Sequence, residues 1–228
     1  MTFADDTALF AAMRHSLFPA VVGDILDTMG LLHQFLPPHI RAMRDDMVVL
    51  GRAMPVLEAD YFGAAEQGHA PLSAQPFGLM FQALDSLRQH EVYIASGSSP
   101  RYALWGELMS TRALHLKAAG AVLDGYVRDS AGILALNFPT FGHGTYAQDQ
   151  GARGKVVDYG LPIEVGGIRV RPGDIIFGDR DGVLVIPHEA EVEAVARALE
   201  KATTENKVRT AIQNGMSTVD AFAHFGVM

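Results

Sequence analysis

The stretch Gly120-Ala121-Val122-Leu123-Asp124-Gly125-Tyr126-Val127-Arg128-Asp129 decides the fold. Residues 121–125 read as a buried-type strand, an apolar run closed by Asp124-Gly125. Upstream, residues 91–95 form a short strand, residues 96–100 (SGSSP) a turn-rich loop, and residues 105–119 a helix. That helix carries Leu108, Thr111, Arg112, His115 and Ala119 along one side and is ended by Gly120. Downstream, a short helical run reaches Leu136 and residues 139–143 make a further strand. Strand, helix, strand, helix predicts a parallel α/β unit with right-handed crossovers.

The pattern changes beyond this unit. From Gly151 the chain reads as short strands at 156–159, 163–165, 168–170, 174–177 and 182–186, with Gly166-Gly167 as a hairpin turn. In Pro172-Gly173-Asp174 proline presets φ and glycine admits positive φ, which makes a turn. A long amphipathic helix is expected over 189–214 and a last one over 217–225. At the other end, Asp5-Asp6-Thr7 caps a short helix, and residues 20–29 form a second helix closed by Gly30. Residues 47–57 read as strand, 63–76 as a loop and 77–89 as helix. No linker or repeat breaks the chain, so one domain over residues 1–228 is expected.

Composition narrows the chemistry. The chain has 228 residues, 49% hydrophobic and 19% charged, enough for a sizeable core. With 26 acidic against 18 scattered basic residues, the net charge is −8. A phosphate-neutralising nucleic-acid groove and an anionic membrane surface are both disfavoured. There is no cysteine, which removes disulfides, thiol nucleophiles and thiolate zinc sites. Any metal must be held by oxygen or imidazole. The first 15 residues lack a signal-peptide pattern and no apolar run reaches 18 residues, so the cytoplasm is the expected location.

Phosphate loops, nucleophile elbows and HExxH pairs are missing from the sequence. The nine histidines are dispersed and read as surface or packed side chains. One constellation stands out. Gly106-Glu107 opens a helix, whose N-terminus offers free N–H groups to a carboxylate. Arg128-Asp129 ends the following strand, at the sheet edge where ligands collect. Arg128 can grip a carboxylate bidentately, Asp129 can hold a hard divalent cation, and Glu107 can add a second carboxylate. The plainer readings are a dipole-favoured Glu107 and an Arg128-Asp129 ion pair or helix cap.

These residues resemble a known family. Trp105-Gly106-Glu107-Leu108, Asp124-Gly125-Tyr126-Val127-Arg128-Asp129, Phe138-Pro139-Thr140-Phe141, Pro172-Gly173-Asp174 and Gly178-Asp179-Arg180-Asp181-Gly182-Val183 together resemble the RraA-like family. The likeness runs from Gly23-Asp24-Ile25-Leu26-Asp27 to the segment 205–215. It implies an α-β-β-α sandwich of the swivelling phosphohistidine-domain type, assembled as a homotrimer or dimer of trimers. It also implies a class II pyruvate aldolase acting on 4-hydroxy-4-methyl-2-oxoglutarate or 4-carboxy-4-hydroxy-2-oxoadipate, with oxaloacetate decarboxylation through the same enolate.

By the same resemblance, Arg128 binds the 2-oxo acid, Asp129 ligates Mg²⁺ or Mn²⁺, and the Gly106, Glu107, Leu108 and Met109 amides hold the substrate carboxylate. Glu205 matches the acidic residue that a neighbouring subunit supplies to the metal. Glu107 stands where the aldolases carry Asp, so its carboxylate sits about one methylene further out; it is the candidate base. The alternatives within the family are a non-catalytic binder of ribonuclease E and another 2-oxo-acid lyase or hydratase. Among the lesser candidates, Trp105 and Asp124 are expected to be structural, His69 to be a loop histidine with specificity tuning as the lesser alternative, and Arg209 to pair with Glu205.

Overall fold

The computed structural model describes residues 3–61 and 71–227. These residues divide into two compact units, one from the two chain ends (Met1–Leu32 with Glu189–Met228) and one central (His33–His188).

The chain opens with α1 (Asp6–Ser16) and α2 (Pro19–Thr28). Asp5 is the N-cap of α1, its carboxylate accepting from the Ala8 N–H at 2.9 Å. Proline opens α2, and Gly30 follows it in the left-handed region at φ +80°.

The central unit contains β1 (Arg41–Ala42), β2 (Val49–Asp60), α3 (Met80–Asp85), β3 (Glu91–Ser96), β4 (Ala103–Trp105), α4 (Glu107–His115), β5 (Gly120–Leu123), β6 (Tyr126–Val127), α5 (Ser130–Leu136) and β7 (Thr140–Gly142). It continues through β8 (Gly154–Tyr159), β9 (Ile163–Val165), β10 (Ile168–Val170), β11 (Ile175–Asp179) and β12 (Gly182–Ile186). The chain closes with α6 (Glu191–Gln213) and α7 (Thr218–Phe225), which belong with α1 and α2.

The main sheet is mixed, in the order β1-β7-β5-β3-β2-β11-β12, with β8 also on β2. Strands β2, β3, β5 and β7 run parallel, as the strand–helix–strand pattern predicts. Strand β2 is long enough to serve two antiparallel partners on its other side. Its first half meets β11 (Leu50↔Phe177) and its second half meets β8 (Ala59↔Lys155).

The segment 34–42 joins the two margins of the sheet. Leu36 N–H donates to Val183 O at 2.8 Å, and Val185 N–H donates to Gln34 O at 2.9 Å, so the segment pairs with β12. A few residues on, β1 pairs with β7 through Arg41↔Gly142. The Arg41 guanidinium completes the seam by donating to the Arg180 and Asp181 carbonyls at 3.1 and 3.0 Å.

Alternation along the strands sorts side chains onto two buried faces. Val92 and Ile94 of β3 and Val122 of β5 pack with Phe141, Val165 and Val185 inside the curled sheet. Tyr93, Ala95, Ala121 and Leu123 face the other way, onto Ala83, Ala113 and Ile133 of the helices. Each buried aliphatic or aromatic side chain stabilises the fold by about 1.5–3 kcal/mol.

Two elements are shorter than the sequence predicts. The helix expected from Trp105 begins at Glu107, because Trp105 is held in β4 against Val127 of β6. It stops at His115, and Lys117 adopts φ 61° before the next strand. The helix expected over 77–89 is confined to Met80–Asp85. Residues 77–79 are drawn into pairing with β8 instead, through Leu79 N–H to Val156 O and Val156 N–H to Phe77 O. Within the expected loop at 63–76, Pro71–Ala74 forms a 3-10 turn. Among the described residues, no single helix is long and apolar enough to cross a membrane.

Candidate active site

The site is built around the passage from β4 to α4. Trp105 is fully buried, its ring 4.9 Å from that of Tyr93 and stacked 6.1 Å from that of Phe138. Its Nε1–H donates to Ser110 Oγ at 2.7 Å, which fixes the first turn of α4 against the strand. Trp105 is thus a packing residue, as the sequence suggests. Gly106 follows as an extended N-cap with no side chain to cap the helix. The N–H groups of the first turn are therefore available to a ligand.

Strand β6 brings the second half of the site beside the first. Arg128 N–H donates to Trp105 O at 2.9 Å, so the two stretches are locked side by side. Asp129 is left-handed at φ 55° and is the N-cap of α5, yet its side chain caps nothing. Its carboxylate instead rests over Gly106, where an added Cβ would lie 2.7 Å from Oδ2.

Arg128 spans two carboxylates. Nη1 contacts Asp149 Oδ1 at 2.8 Å, and Nε lies 3.7 Å from Asp129 Oδ2. Asp149 is itself anchored, since its Oδ2 accepts from the Gly151 N–H at 2.9 Å. One edge of the guanidinium is thereby oriented and the remaining donors are left for a ligand.

These groups open into a cavity of about 460 Å³. Phe77, Met80, Phe81 and Leu84 form its apolar wall, opposite Arg128, Asp129 and Asp149. A few convergent polar groups in a mostly apolar hollow are the usual makings of a small-molecule site.

The sequence-predicted residues separate here. Gly106, Leu108, Met109, Arg128 and Asp129 all line the cavity. Glu107 is not among the lining residues; its carboxylate packs against Gly132 in the first turn of α5, where an added Cβ would meet Oε2 at 2.3 Å. Glu205 lies on α6 in the other unit, with Oε1 3.6 Å from Lys201 Nζ, and Lys201 also pairs with Asp24. Arg209 does not pair with Glu205 as expected; its Nη1 donates to Asn206 at 2.8 Å. His69 lies outside the described residues.

Sequence reasoning missed Asp149, Gln150 and Glu58. Asp149 and Gln150 sit in an irregular stretch before β8 with no periodicity to mark them. Glu58 does carry a signal, a carboxylate inside the buried strand β2. Gln150, part of the cavity lining, donates from Nε2 to Glu58 Oε2 at 2.8 Å. Burial raises the Glu58 pKa to about 8, against the smaller opposing effect of that hydrogen bond.

The cavity's donor set suits a hard divalent cation. Asp129 presents an uncapped carboxylate, and Mg²⁺ or Mn²⁺ is commonly held by one or two carboxylates with water and substrate oxygens completing the shell.

Fold and site together define an α/β protein with an arginine–carboxylate pocket at the end of a helix. A family model described as Aldolase/RraA matches residues 20–185, and the chain belongs to this RraA-like family. Among relatives, "Protein DlpA" of Legionella pneumophila is 29% identical over 203 residues, covering 89% of this chain and 31% of that protein. A protein of Halalkalibacterium halodurans named "Putative 4-hydroxy-4-methyl-2-oxoglutarate aldolase" is 36% identical over 128 residues, 56% of this chain and 60% of that protein. The matched stretches thus span about a third and under two thirds of these relatives' lengths. Among solved structures, Streptomyces coelicolor RraAS2, described as an unusual member of the RNase ES inhibitor RraA protein family, superposes with a TM-score of 0.76 at 20% identity. That match covers 92% of this chain and 99% of the other and establishes the shared RraA fold.

Proposed function

We propose that the protein is a divalent-metal-dependent lyase that cleaves 4-hydroxy-2-oxo acids of the 4-hydroxy-4-methyl-2-oxoglutarate type to pyruvate, with oxaloacetate decarboxylation as a companion activity. The observation that carries this reading is the side-by-side placement of Arg128 and Asp129 at the mouth of a cavity that begins at the uncapped end of α4. The name of the Halalkalibacterium relative points the same way.

Asp129 would hold the Mg²⁺ or Mn²⁺, with Glu107 and Glu205 of a neighbouring subunit as the further acidic groups of this proposal. When bound, the cation supplies Lewis-acid polarisation of the 2-oxo group. The Gly106–Met109 amides bind the C1 carboxylate at the positive end of the α4 dipole. Arg128, steadied by Asp149, donates to the C2 oxygen as negative charge grows there. For Glu107 to accept the C4 hydroxyl proton through a water, its carboxylate has to swing from Gly132 toward the cavity; loss of that proton turns C4 into a carbonyl as the C3–C4 bond breaks and its electron pair leaves as the enolate of pyruvate. Water protonates that enolate at C3, and the proton held by the base replaces the one the water gives up. Decarboxylation of oxaloacetate generates the same enolate, so a site that stabilises one transition state lowers the barrier to the other.

The exposed apolar side chains of Phe81 and Leu108 at the cavity mouth favour cover by another copy, in a trimer or dimer of trimers. Incubation with 4-hydroxy-4-methyl-2-oxoglutarate, 4-carboxy-4-hydroxy-2-oxoadipate and oxaloacetate, coupled to pyruvate detection, is expected to give turnover with Mg²⁺ or Mn²⁺ and none after chelation. No pyruvate from any of the three with either metal overturns the reading.

Gly106→Ala probes the same geometry more gently. The new methyl displaces only the end of the Asp129 side chain, so the thermal midpoint is expected to change little. Mn²⁺ affinity and kcat are expected to fall about tenfold or more, as for other losses of ligand orientation. Unchanged Mn²⁺ binding removes Asp129 from the metal site.

A further inference from the structure

Three chain segments far apart in sequence bring His39, Asp124 and His143 together. Strands β3, β5 and β7 are parallel neighbours, and Ser96, Asp124 and His143 stand at or just past their carboxyl ends. His39 joins them because β1 is antiparallel to β7, so the residues before Arg41 lie beside those after Gly142. A turn with Ile40 N–H on Pro37 O at 3.0 Å holds His39 there.

Asp124 Oδ1 lies 3.0 Å from His143 Nε2 and 3.9 Å from His39 Nε2. One ligand atom from each of the three residues falls within 4.8 Å of the others. Two ligands each about 2.0–2.1 Å from a tetrahedral ion stand about 3.3 Å apart, so the observed spacings bracket what a single ion needs. The two imidazole rings meet edge to face with centroids 4.4 Å apart.

The other carboxylate oxygen is already committed. Ser96 Oγ–H donates to Asp124 Oδ2 at 2.9 Å, the outer contact that orients a ligating carboxylate. Asp124 and His143 are largely shielded while His39 is 58% exposed, so the cluster has a firm base and an open side. None of the three histidine and aspartate side chains lines the Arg128 cavity.

We infer that His39, Asp124 and His143 form a second metal site, selective for a borderline divalent transition ion of the zinc class over Mg²⁺. Two imidazoles and one carboxylate suit such an ion, whereas Mg²⁺ prefers oxygen alone. Three protein ligands leave a coordination position open toward solvent on the His39 side. The site stands independently of the lyase reading.

The test is calorimetric titration of Zn²⁺ into tag-free, chelator-stripped, full-length protein held in excess Mg²⁺, which occupies hard carboxylate sites. One Zn²⁺ per chain is expected. His39→Ala, at an exposed position that does not support the core, is expected to weaken uptake at least tenfold, and His143→Ala likewise. Ser96→Ala is expected to keep the stoichiometry and lose about tenfold in affinity. Asp129→Ala is expected to bind Zn²⁺ as wild type does, even where it abolishes pyruvate release. No Zn²⁺ uptake by the wild type, uptake as tight as the wild type's in both histidine variants, or loss of uptake in Asp129→Ala each overturns the assignment.

Discussion

Arg128→Ala is expected to lower kcat/KM for pyruvate release by about 10²–10³, the scale of losing one preorganised donor at a developing oxyanion. Among the described residues lining the cavity, the Arg112 guanidinium pairs with Asp85, whereas that of Arg128 is set against both Asp129 and Asp149. Its loss removes the donor proposed for the C2 oxygen and frees Asp149 to repel an incoming carboxylate. The fall belongs in kcat as well as KM, since the enolate charge exists only beyond the ground state. Arg128→Lys keeps the charge but not the planar fork, so most of the deficit persists. The fold is expected to tolerate both changes, because a half-exposed ion pair contributes at most about 1 kcal/mol. Steady-state kinetics beside a thermal melt decide it: a well-folded Arg128→Ala enzyme within threefold of wild type contradicts the mechanism.

Glu58→Gln is expected to stabilise the protein at alkaline pH. Burial holds the Glu58 carboxyl neutral in the folded chain up to about pH 8, whereas its ordinary value is 4.5. Between those limits the folded state binds one more proton than the unfolded state, so stability falls as pH rises. Below pH 4.5 both states are protonated and the group contributes no slope. A gap of 3.5 pH units at 1.36 kcal/mol each sets an upper scale of about 3–5 kcal/mol by pH 8. Among the described residues Oε1 has no hydrogen-bond partner, while the acceptor for Gln150 survives in the amide. Urea unfolding at pH 5 and pH 8 should show the variant gaining on wild type as pH increases. Parallel curves would mean that Glu58 ionises freely in the folded state.

Much of this architecture is legible because its elements announce themselves locally. The Gly166-Gly167 turn, with both φ values positive, and its flanking Ile163–Val165 and Ile168–Val170 are all visible in the sequence. So are the apolar runs of β3, β5 and β12, which need no knowledge of their partners. The pairing of Gly106 with Arg128-Asp129 was readable for a similar reason, as a glycine opening a helix and a polar pair ending a strand. Asp149 was not, because its contact with Arg128 is made by an irregular return of the chain toward β8. The meeting of His39 with His143 was hidden too. It depends on β1, two residues long and too short to carry any periodicity.

The seam at residues 34–42 also bears on how copies of the chain can associate. A sheet that ends in bare strands invites a further strand from another molecule, the route to swapped and fibrillar forms. Here the margin at β12 is taken by Gln34–Leu36, that at β7 by β1, and the outer flank of β8 by residues 77–79. Main-chain amides at these three margins are thereby spent inside the protomer, which blocks strand addition there.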